Sequence, residues 1–308
     1  MRVSGLTTAL LLAAVIGGCT ESADAQSSSQ SSGSPPAREG EPYALTGTQV
    51  WTVPDPVSGR DYEVFVSLPA SYETSPERRY PVLYVTDADY AFPIIRQIAR
   101  RVNLNGPVIE EFILVGLSYA RDDNPTASRN RDYTPTANGP RRASTMVHGG
   151  GPAYQTYLKT RALPFIEQRF RADPARRVLL GHSYGGLLGA QILFTEPEMF
   201  SGYVLGSPSF WFDRGHIFTM EAAYARTHRD LPAEVFMYIG GWEVPGADRR
   251  NTTDADMVGD VRRMEDTLKS RNYPGLEVQS VVLTDEDHLT VAPVGFTRAL
   301  TAVFPATR

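Results

Sequence analysis

The sequence predicts an α/β domain in which a mostly parallel, twisted sheet carries helices on both faces. Two observations predict this class. From about Pro42 onward, short β-branched runs alternate with amphipathic helical patterns, which is typical of parallel crossover units. Ahead of them, two alternating segments joined by a turn at Pro56 to Gly59 predict a pair of antiparallel strands.

Each element is predicted from its own pattern. Five strands are expected first: Gln49 to Val53, Tyr62 to Leu68, Val82 to Val85, Phe112 to Leu117 and Val178 to Leu180. Helices are expected over 91–103 and over 153–170, where Pro164 should bend the helix. Residues 121–151 form a polar stretch that is too long for a routine connection. Strands within 200–212, over 235–240 and within 276–288 then alternate with helices, the last over 291–304.

The N-terminal segment is predicted to lie outside this fold. A basic start and an apolar run from Leu6 to Ile16 are typical of a signal peptide, here over 1–18. The run ends in "VIGGCT", which resembles a bacterial lipobox and predicts lipidation of Cys19, although a plain secretory peptide is the alternative. Residues 19–41 are rich in Ser, Gln and Pro and predict a flexible tether. Because Thr20 follows the cysteine, we expect a lipid-anchored protein of the cell envelope, at the outer membrane facing the periplasm.

Composition narrows the function classes. With 42% hydrophobic and 21% charged residues, the chain of 308 residues is long enough for a large catalytic domain, predicted over 42–308. A net charge of −5 argues against nonspecific binding to nucleic acid. The single cysteine excludes a disulfide within the chain, and no paired-histidine metal motif such as H-x-x-E-H occurs. We therefore expect no metal.

The pentapeptide "GHSYG" follows the fifth predicted strand and precedes a helical pattern. G-x-S-x-G at such a turn is the nucleophile elbow of the α/β-hydrolase fold. Ser183 is then the candidate nucleophile, and the backbone N–H of Tyr184 is a candidate oxyanion donor at the helix N-terminus. An ordinary glycine-rich turn is the alternative, but the elbow's position after the fifth strand favours catalysis.

A serine hydroxyl needs a base, and the base usually needs an acid to orient it. In this fold the order along the chain is Ser, acid, His. Of the five histidines, His288 follows the last strand and is the predicted base. The acid should follow the strand that ends near Gly240. Glu243 is favoured, Asp248, Asp254 and Asp256 are further candidates, and a Ser-His dyad without an acid stays open.

The second oxyanion donor should come from the loop after the third strand, "TDADY". The backbone N–H of Asp89, or that of Ala88, is the candidate. The side chain of Asp87 is expected to brace the turn instead.

These motifs resemble a known family. The segments "YPVLYVTDADYAF", "RNRDYTPT", "LLGHSYGGLLGAQILFTEPEMFSGYVLGSPSFWF" and "DEDH" are similar to the Putative esterase family of α/β hydrolases, which includes esterase D-like enzymes and the enterobactin and salmochelin esterases. The resemblance spans roughly Trp51 to Phe304. It implies ester hydrolysis through an acyl-enzyme without a cofactor, with an acid that can be poorly placed or missing. One departure is Asp87-Ala88, where the family has Asp-Gly.

Candidate substrate contacts lie in the long polar stretch and after the sixth strand. Arg129, Arg131, Arg141 and Arg142 could meet an anionic or aromatic ester, with Phe210 and Trp211 as walls. The alternative is that Arg131 pairs with Asp132 to fold the loop and that Trp211 belongs to the core. A catecholate siderophore trilactone or a related small ester is the expected substrate. A cell-wall or polysaccharide acetyl or feruloyl esterase and a noncatalytic envelope binding protein are the alternatives.

Overall fold

The computed structural model describes residues 40, 43–140, 146–246 and 254–306. The predicted signal peptide, nearly all of the tether and the lipidation site Cys19 fall outside the described residues, as do Arg141, Arg142 and Asp248. The compact unit that contains the predicted catalytic residues spans Leu45–Arg308.

Eight strands in the described residues form one sheet, which confirms the predicted fold class. Their order across the sheet is β1-β2-β4-β3-β5-β6-β7-β8. The first strand pairs antiparallel with the second and the second with the fourth, and all other neighbours are parallel. The strands are β1 Thr48–Asp55, β2 Arg60–Ser67, β3 Tyr80–Val85, β4 Ile113–Ala120, β5 Ala172–His182, β6 Gly202–Gly206, β7 Ala233–Gly240 and β8 Leu276–Leu283.

Helices cover both faces of the sheet, and each face has its own apolar core. One core contains Phe92 and Phe296 and is formed with α1 and α8, whereas the larger core on the other face is formed with α3 to α7. The helices are α1 Ala88–Val102, α2 Pro125–Asp132, α3 Gly151–Tyr157, α4 Leu163–Arg169, α5 Tyr184–Leu193, α6 Phe212–Thr227, α7 Met257–Ser270 and α8 Val291–Val303.

Two elements differ from the sequence prediction. The polar stretch 121–151 contains α2, which Asn124 caps by accepting hydrogen bonds from the N–H groups of Thr126 and Ala127. An Asn before a proline at the first helical position is a helix-start signal that outweighs the polar composition. The helix expected over 153–170 is instead α3 and α4, joined by a π-helical turn at Leu158–Ala162. Pro164 is the second residue of α4, directly after this π-helical turn, where a proline N without a hydrogen interrupts the hydrogen bonds of the preceding helical turn.

The sheet order decides where the functional loops meet. Strands β3, β5, β6, β7 and β8 are parallel, so their carboxyl ends lie along one edge of the sheet. Ligands of open α/β sheets bind at this edge. The loops after β3, β5, β7 and β8 contain every residue that the sequence analysis singled out for catalysis.

Candidate active site

Ser183 occupies a sharp turn between β5 and α5. Its φ of 59° and ψ of −117° are unusual for a residue with a side chain. A Cβ on Gly181 would come within 2.2 Å of the Gly185 carbonyl, so only glycine at position 181 is compatible with this turn. The Ser183 N–H donates to the Gly206 carbonyl at 2.8 Å, and its carbonyl accepts from the Ser209 N–H at 3.2 Å. The strained turn is thus held from both sides.

The predicted acid and base candidates are in contact. Glu243 Oε2 lies 2.6 Å from His288 Nδ1, and only 1% of the Glu243 residue is exposed. The other carboxylate oxygen accepts from the N–H of Gly240 at 2.9 Å and from the hydroxyl of Ser207 at 2.6 Å. Because Nδ1 is engaged by the carboxylate, Nε2 of His288 is the ring nitrogen left to accept a proton.

The His288 loop is joined directly to the elbow by His182. The His182 Nε2–H donates to the backbone carbonyl of His288 at 2.9 Å, and the two ring centroids are 4.8 Å apart. Burial, with His288 and Arg129 nearby, lowers the pKa of His182 well below its ordinary value. The ring is therefore neutral at pH 7, and its Nδ1 can accept from the Tyr238 hydroxyl at 3.4 Å.

Sequence reasoning assigned no role to His182. A histidine inside G-x-S-x-G carries no local signal of its partner, because that partner is a backbone carbonyl 106 positions later in the chain.

The nucleophile candidate also contacts a second serine. Ser183 Oγ and Ser209 Oγ are 3.4 Å apart, and Ser209 is buried in the loop after β6. At this separation, longer than an ordinary O–H···O hydrogen bond, the two hydroxyls are neighbours and the Ser183 hydroxyl stays free to turn towards a base. The Ser-Pro-Ser segment 207–209, part of the block that resembles the family, therefore meets the elbow at Ser209 and the acid at Ser207.

The two predicted oxyanion donors lie at helix starts. Tyr184 opens α5, and α1 begins at Ala88, with Asp89 next. N–H groups in a first turn have no acceptor inside their own helix and can serve a ligand. Asp87 is excluded as the donor because its N–H is directed to the Tyr133 hydroxyl at 3.3 Å. The Asp89 carboxylate accepts from Ser118 Oγ at 2.7 Å, while the backbone N–H groups of Ala88 and Asp89 both lie in the first turn of α1 and both stay candidate donors.

Arg129 lies between the two loops that would supply those donors. Its Nε and Nη2 donate to the two carboxylate oxygens of Asp87 at 2.8 and 3.1 Å. Nη2 also donates to the His182 carbonyl at 3.1 Å, and the guanidinium lies 5.3 Å from the ring centroid of Tyr184. Asp87 braces its turn as the sequence predicted, also accepting from the Tyr119 hydroxyl at 2.7 Å. Arg129 therefore ties the loop after β3 to the elbow.

Arg131 has different partners, although it is only two positions away. Its guanidinium donates to Asp132 at 2.8 Å and to Asp123 at 2.6 Å. A further hydrogen bond goes to Ser128 at 3.3 Å. These contacts favour the alternative in which Arg131 folds the loop, over a contact with substrate.

The aromatic residues after β6 divide between core and site. Phe210 is fully buried and packs on Phe218. Trp211 is half-buried, with its ring centroid 6.2 Å from that of Tyr184. Trp211 is thus partly packed against the core, and the remainder of its side chain is exposed to solvent beside Tyr184.

Comparison with known proteins places this geometry in a family. The model of the family described as "Putative esterase" matches residues 56–279. The chain belongs to the Putative esterase family. The ferri-bacillibactin esterase BesA of Bacillus subtilis is 27% identical over 270 residues, covering 84% of this chain and 90% of that one. The siderophore triacetylfusarinine C esterase of Aspergillus fumigatus is 26% identical over 268 residues, covering 80% and 89%.

Solved structures give the same fold. The crystal structure of the BES protein from Bacillus cereus superimposes with a TM-score of 0.74 at 22% identity, covering 87% of this chain and 100% of that one. The predicted α/β-hydrolase fold and the predicted serine ester hydrolase are both confirmed.

Within the described residues, no group of three or more His, Cys, Asp or Glu is placed to hold a metal ion. No helix in that same part of the chain combines the length and apolarity needed to cross a membrane.

Proposed function

We propose that this member of the Putative esterase family hydrolyses ester bonds of a siderophore through an acyl-enzyme on Ser183. The observation that carries the assignment of roles is the hydrogen bond between Glu243 and His288, whose loop His182 joins to the elbow. Two relatives, each aligned with this chain over most of its own length, are named as siderophore esterases. Their names support the substrate class.

In the acylation step, Ser183 Oγ attacks the carbonyl carbon of the ester, and its proton passes to Nε2 of His288. Glu243 stabilises the imidazolium that forms. The negative charge on the former carbonyl oxygen is stabilised by the N–H group of Tyr184 and by that of Asp89 or Ala88. The alcohol then leaves with the proton from His288.

Deacylation repeats these roles with water as the nucleophile. His288 takes a proton from the water as it attacks the acyl carbon, and returns the proton to Ser183 Oγ as the acid leaves. Each turnover therefore restores the starting protonation states.

The residues around the elbow support an aromatic and anionic substrate. Tyr184, which directly follows Ser183 in the chain, and Trp211, which packs beside Tyr184, are half-buried aromatic side chains. The guanidinium of Arg129 lies over Tyr184, and its side chain is 23% exposed. Aromatic faces and an arginine suit the rings and oxygens of a catecholate ester, so a catecholate trilactone is the substrate we propose.

A substrate panel tests this assignment. The purified domain should cleave a catecholate trilactone, with and without iron, faster than feruloyl esters, acetylated xylan or p-nitrophenyl acetate. Ser183→Ala should fold normally and lose turnover on every ester. An intact trilactone beside rapid feruloyl or acetyl release would favour a polysaccharide esterase instead. A wild-type protein inert to esters and to fluorophosphonate probes would favour a binding protein.

We further propose that Cys19 carries a lipid anchor that holds the enzyme at the cell envelope, at the outer membrane facing the periplasm. The support is the sequence pattern ahead of Cys19 and the Ser-rich tether after it. The domain would then meet a ferric complex as it enters the cell. In the native host, wild-type protein should fractionate with membranes and Cys19→Ser should not, whereas equal distribution of the two would rule out the anchor.

A further inference from the structure

Ser207 lies in the loop after β6, between the nucleophile strand β5 and the acid strand β7. Ser207 is completely buried, and its hydroxyl donates to Glu243 Oε1 at 2.6 Å. The same oxygen accepts from the Gly240 N–H at 2.9 Å, so Oε1 has two donors and Oε2 is left for His288. The carboxylate is thereby fixed in its plane.

The backbone of Ser207 is unusual for a residue with a side chain. Its φ is 37°, in the region that favours glycine, and Pro208 follows it. A residue before proline ordinarily takes an extended conformation. A glycine would occupy this position with less strain, but it would leave the buried carboxylate with one donor fewer. Strain of this kind is retained where the side chain has a function.

The loop that carries Ser207 is fixed to both partners. The Ser207 N–H donates to the Tyr238 carbonyl of β7 at 2.7 Å. One residue earlier, the Gly206 carbonyl accepts from the N–H of Ser183, and two residues later Ser209 contacts Ser183. The position of the Ser207 hydroxyl is therefore set relative to the nucleophile as well as to the acid.

We propose that Ser207 is a positioning residue that orients Glu243, and through Glu243 the ring of His288, for proton transfer from Ser183. The proposal rests on the roles given to Glu243 and His288 under the proposed function. In the Ser-Pro-Ser segment, Ser207 would then orient the acid Glu243, while Ser209 contacts the nucleophile Ser183.

Other titratable and charged groups also face this pair. His182 packs against the ring of His288 and is kept neutral by burial, and Arg129 lies beyond His182. Tyr238 lies close enough to Glu243 for the carboxylate charge to raise its pKa further, after burial has raised it. Asp287 precedes His288 and accepts backbone N–H bonds from Leu289 and Thr290. None of these groups replaces a hydroxyl donor at Glu243 Oε1.

The expected effect of losing the Ser207 hydroxyl follows from the geometry. Glu243 Oε1 would keep only the Gly240 N–H as donor, so the carboxylate and the ring of His288 would be less well oriented. Because neither group binds the substrate directly, the loss should appear in kcat rather than in KM.

The test uses the whole domain and p-nitrophenyl acetate. Ser207→Ala and Ser207→Gly should each lower kcat by about 10- to 100-fold, the loss typical of removing a partner behind a catalytic group, with KM changed less than about twofold. Ser207→Cys, which keeps a weak donor, should regain part of the rate. Ser280→Ala is the matched control, because it removes another serine hydroxyl from a glutamate, Glu265, away from the site. It should keep the wild-type rate.

The outcomes separate this inference from the proposed function. A Ser207→Gly variant that folds and shows the wild-type kcat would overturn the role of Ser207, even if Ser207→Ala fails to fold. If Glu243→Gln also retains full activity, the acid assignment is wrong as well. Loss of activity in Glu243→Gln with unchanged Ser207 variants would remove only the inference about Ser207.

Discussion

Glu243 and His288 lie 45 positions apart in the chain, yet Glu243 Oε2 and His288 Nδ1 are 2.6 Å apart. The carboxylate is buried, and the imidazole side chain is 23% exposed. One end of the pair is thus fixed inside the protein while the other can reach a substrate. This is the arrangement that a general base needs when it takes a proton from a serine at the carboxyl edge of the sheet.

Replacing Glu243 by glutamine should reduce kcat/KM on p-nitrophenyl acetate by about 10³-fold or more, because the neutral amide does not stabilise the imidazolium. Thermal unfolding should show that the variant is folded. Glu221→Gln is the control, since Glu221 is also buried and receives two bonds from Arg271, at 2.8 Å each. It should lose stability but not activity. A Glu243 variant with near wild-type kcat/KM would indicate a Ser-His dyad.

The lowered pKa of His182 makes stability depend on pH. Below the unfolded-state pKa of about 6.5, His182 binds a proton in the unfolded chain but not in the folded protein. The free energy of unfolding therefore decreases by up to about 1.4 kcal/mol for each unit by which the pH is lowered. This share of stability is fully present above about pH 6.5 and is lost as pH falls through the folded-state pKa. Urea unfolding of wild type and His182→Gln at pH 7 and pH 5 should show the smaller decrease in the variant. Parallel curves for the two proteins would contradict the buried neutral ring.

Exchanging Arg129 for lysine should lower kcat by about tenfold or more on every ester, including the uncharged p-nitrophenyl acetate. Lysine cannot reproduce the paired bonds to Asp87 and the bond to the His182 carbonyl, so the two loops with the candidate oxyanion donors lose their connection. Arg131→Lys is the matched comparison and should lower the melting temperature without changing kcat. If Arg129→Lys affects only anionic esters, its main role is substrate binding.

Alanine at Gly181 should prevent the elbow from closing. Its Cβ would lie 2.2 Å from backbone atoms of Gly185, which cannot move aside as a flexible side chain could. We expect a loss of at least about 3 kcal/mol in the free energy of unfolding, or no soluble protein. Gly40→Ala, where a Cβ meets no atom within 4 Å, should behave as wild type. A stable and active Gly181→Ala variant would show that the turn tolerates a different backbone.

Much of the fold and some of the site follow from local signals. The order of strands and helices was predictable because periodicity reports burial directly. The pentapeptide indicated Ser183, and chain order then selected His288 and favoured Glu243. The helix α2 was missed because polar composition was given more weight than the Asn-Pro start signal.

The supporting contacts could not be predicted from sequence. His182 bonds a backbone carbonyl, Ser207 bonds a carboxylate 36 positions away, and Arg129 bonds a side chain 42 positions earlier. None of these pairs leaves a periodic or spaced pattern, because each depends on which strands are neighbours. For the same reason Arg129 and Arg131 looked equivalent in sequence, although the structure gives them different partners.

The distance along the chain between the elbow and the His288 loop has a consequence during synthesis. His182 and His288 are 106 positions apart, and the base lies beyond the last strand, just before α8. A nascent polypeptide can therefore complete the turn around Ser183 well before its proton acceptor has left the ribosome. Such an intermediate lacks the proposed base, so we expect esterase activity only after the C-terminal segment has docked.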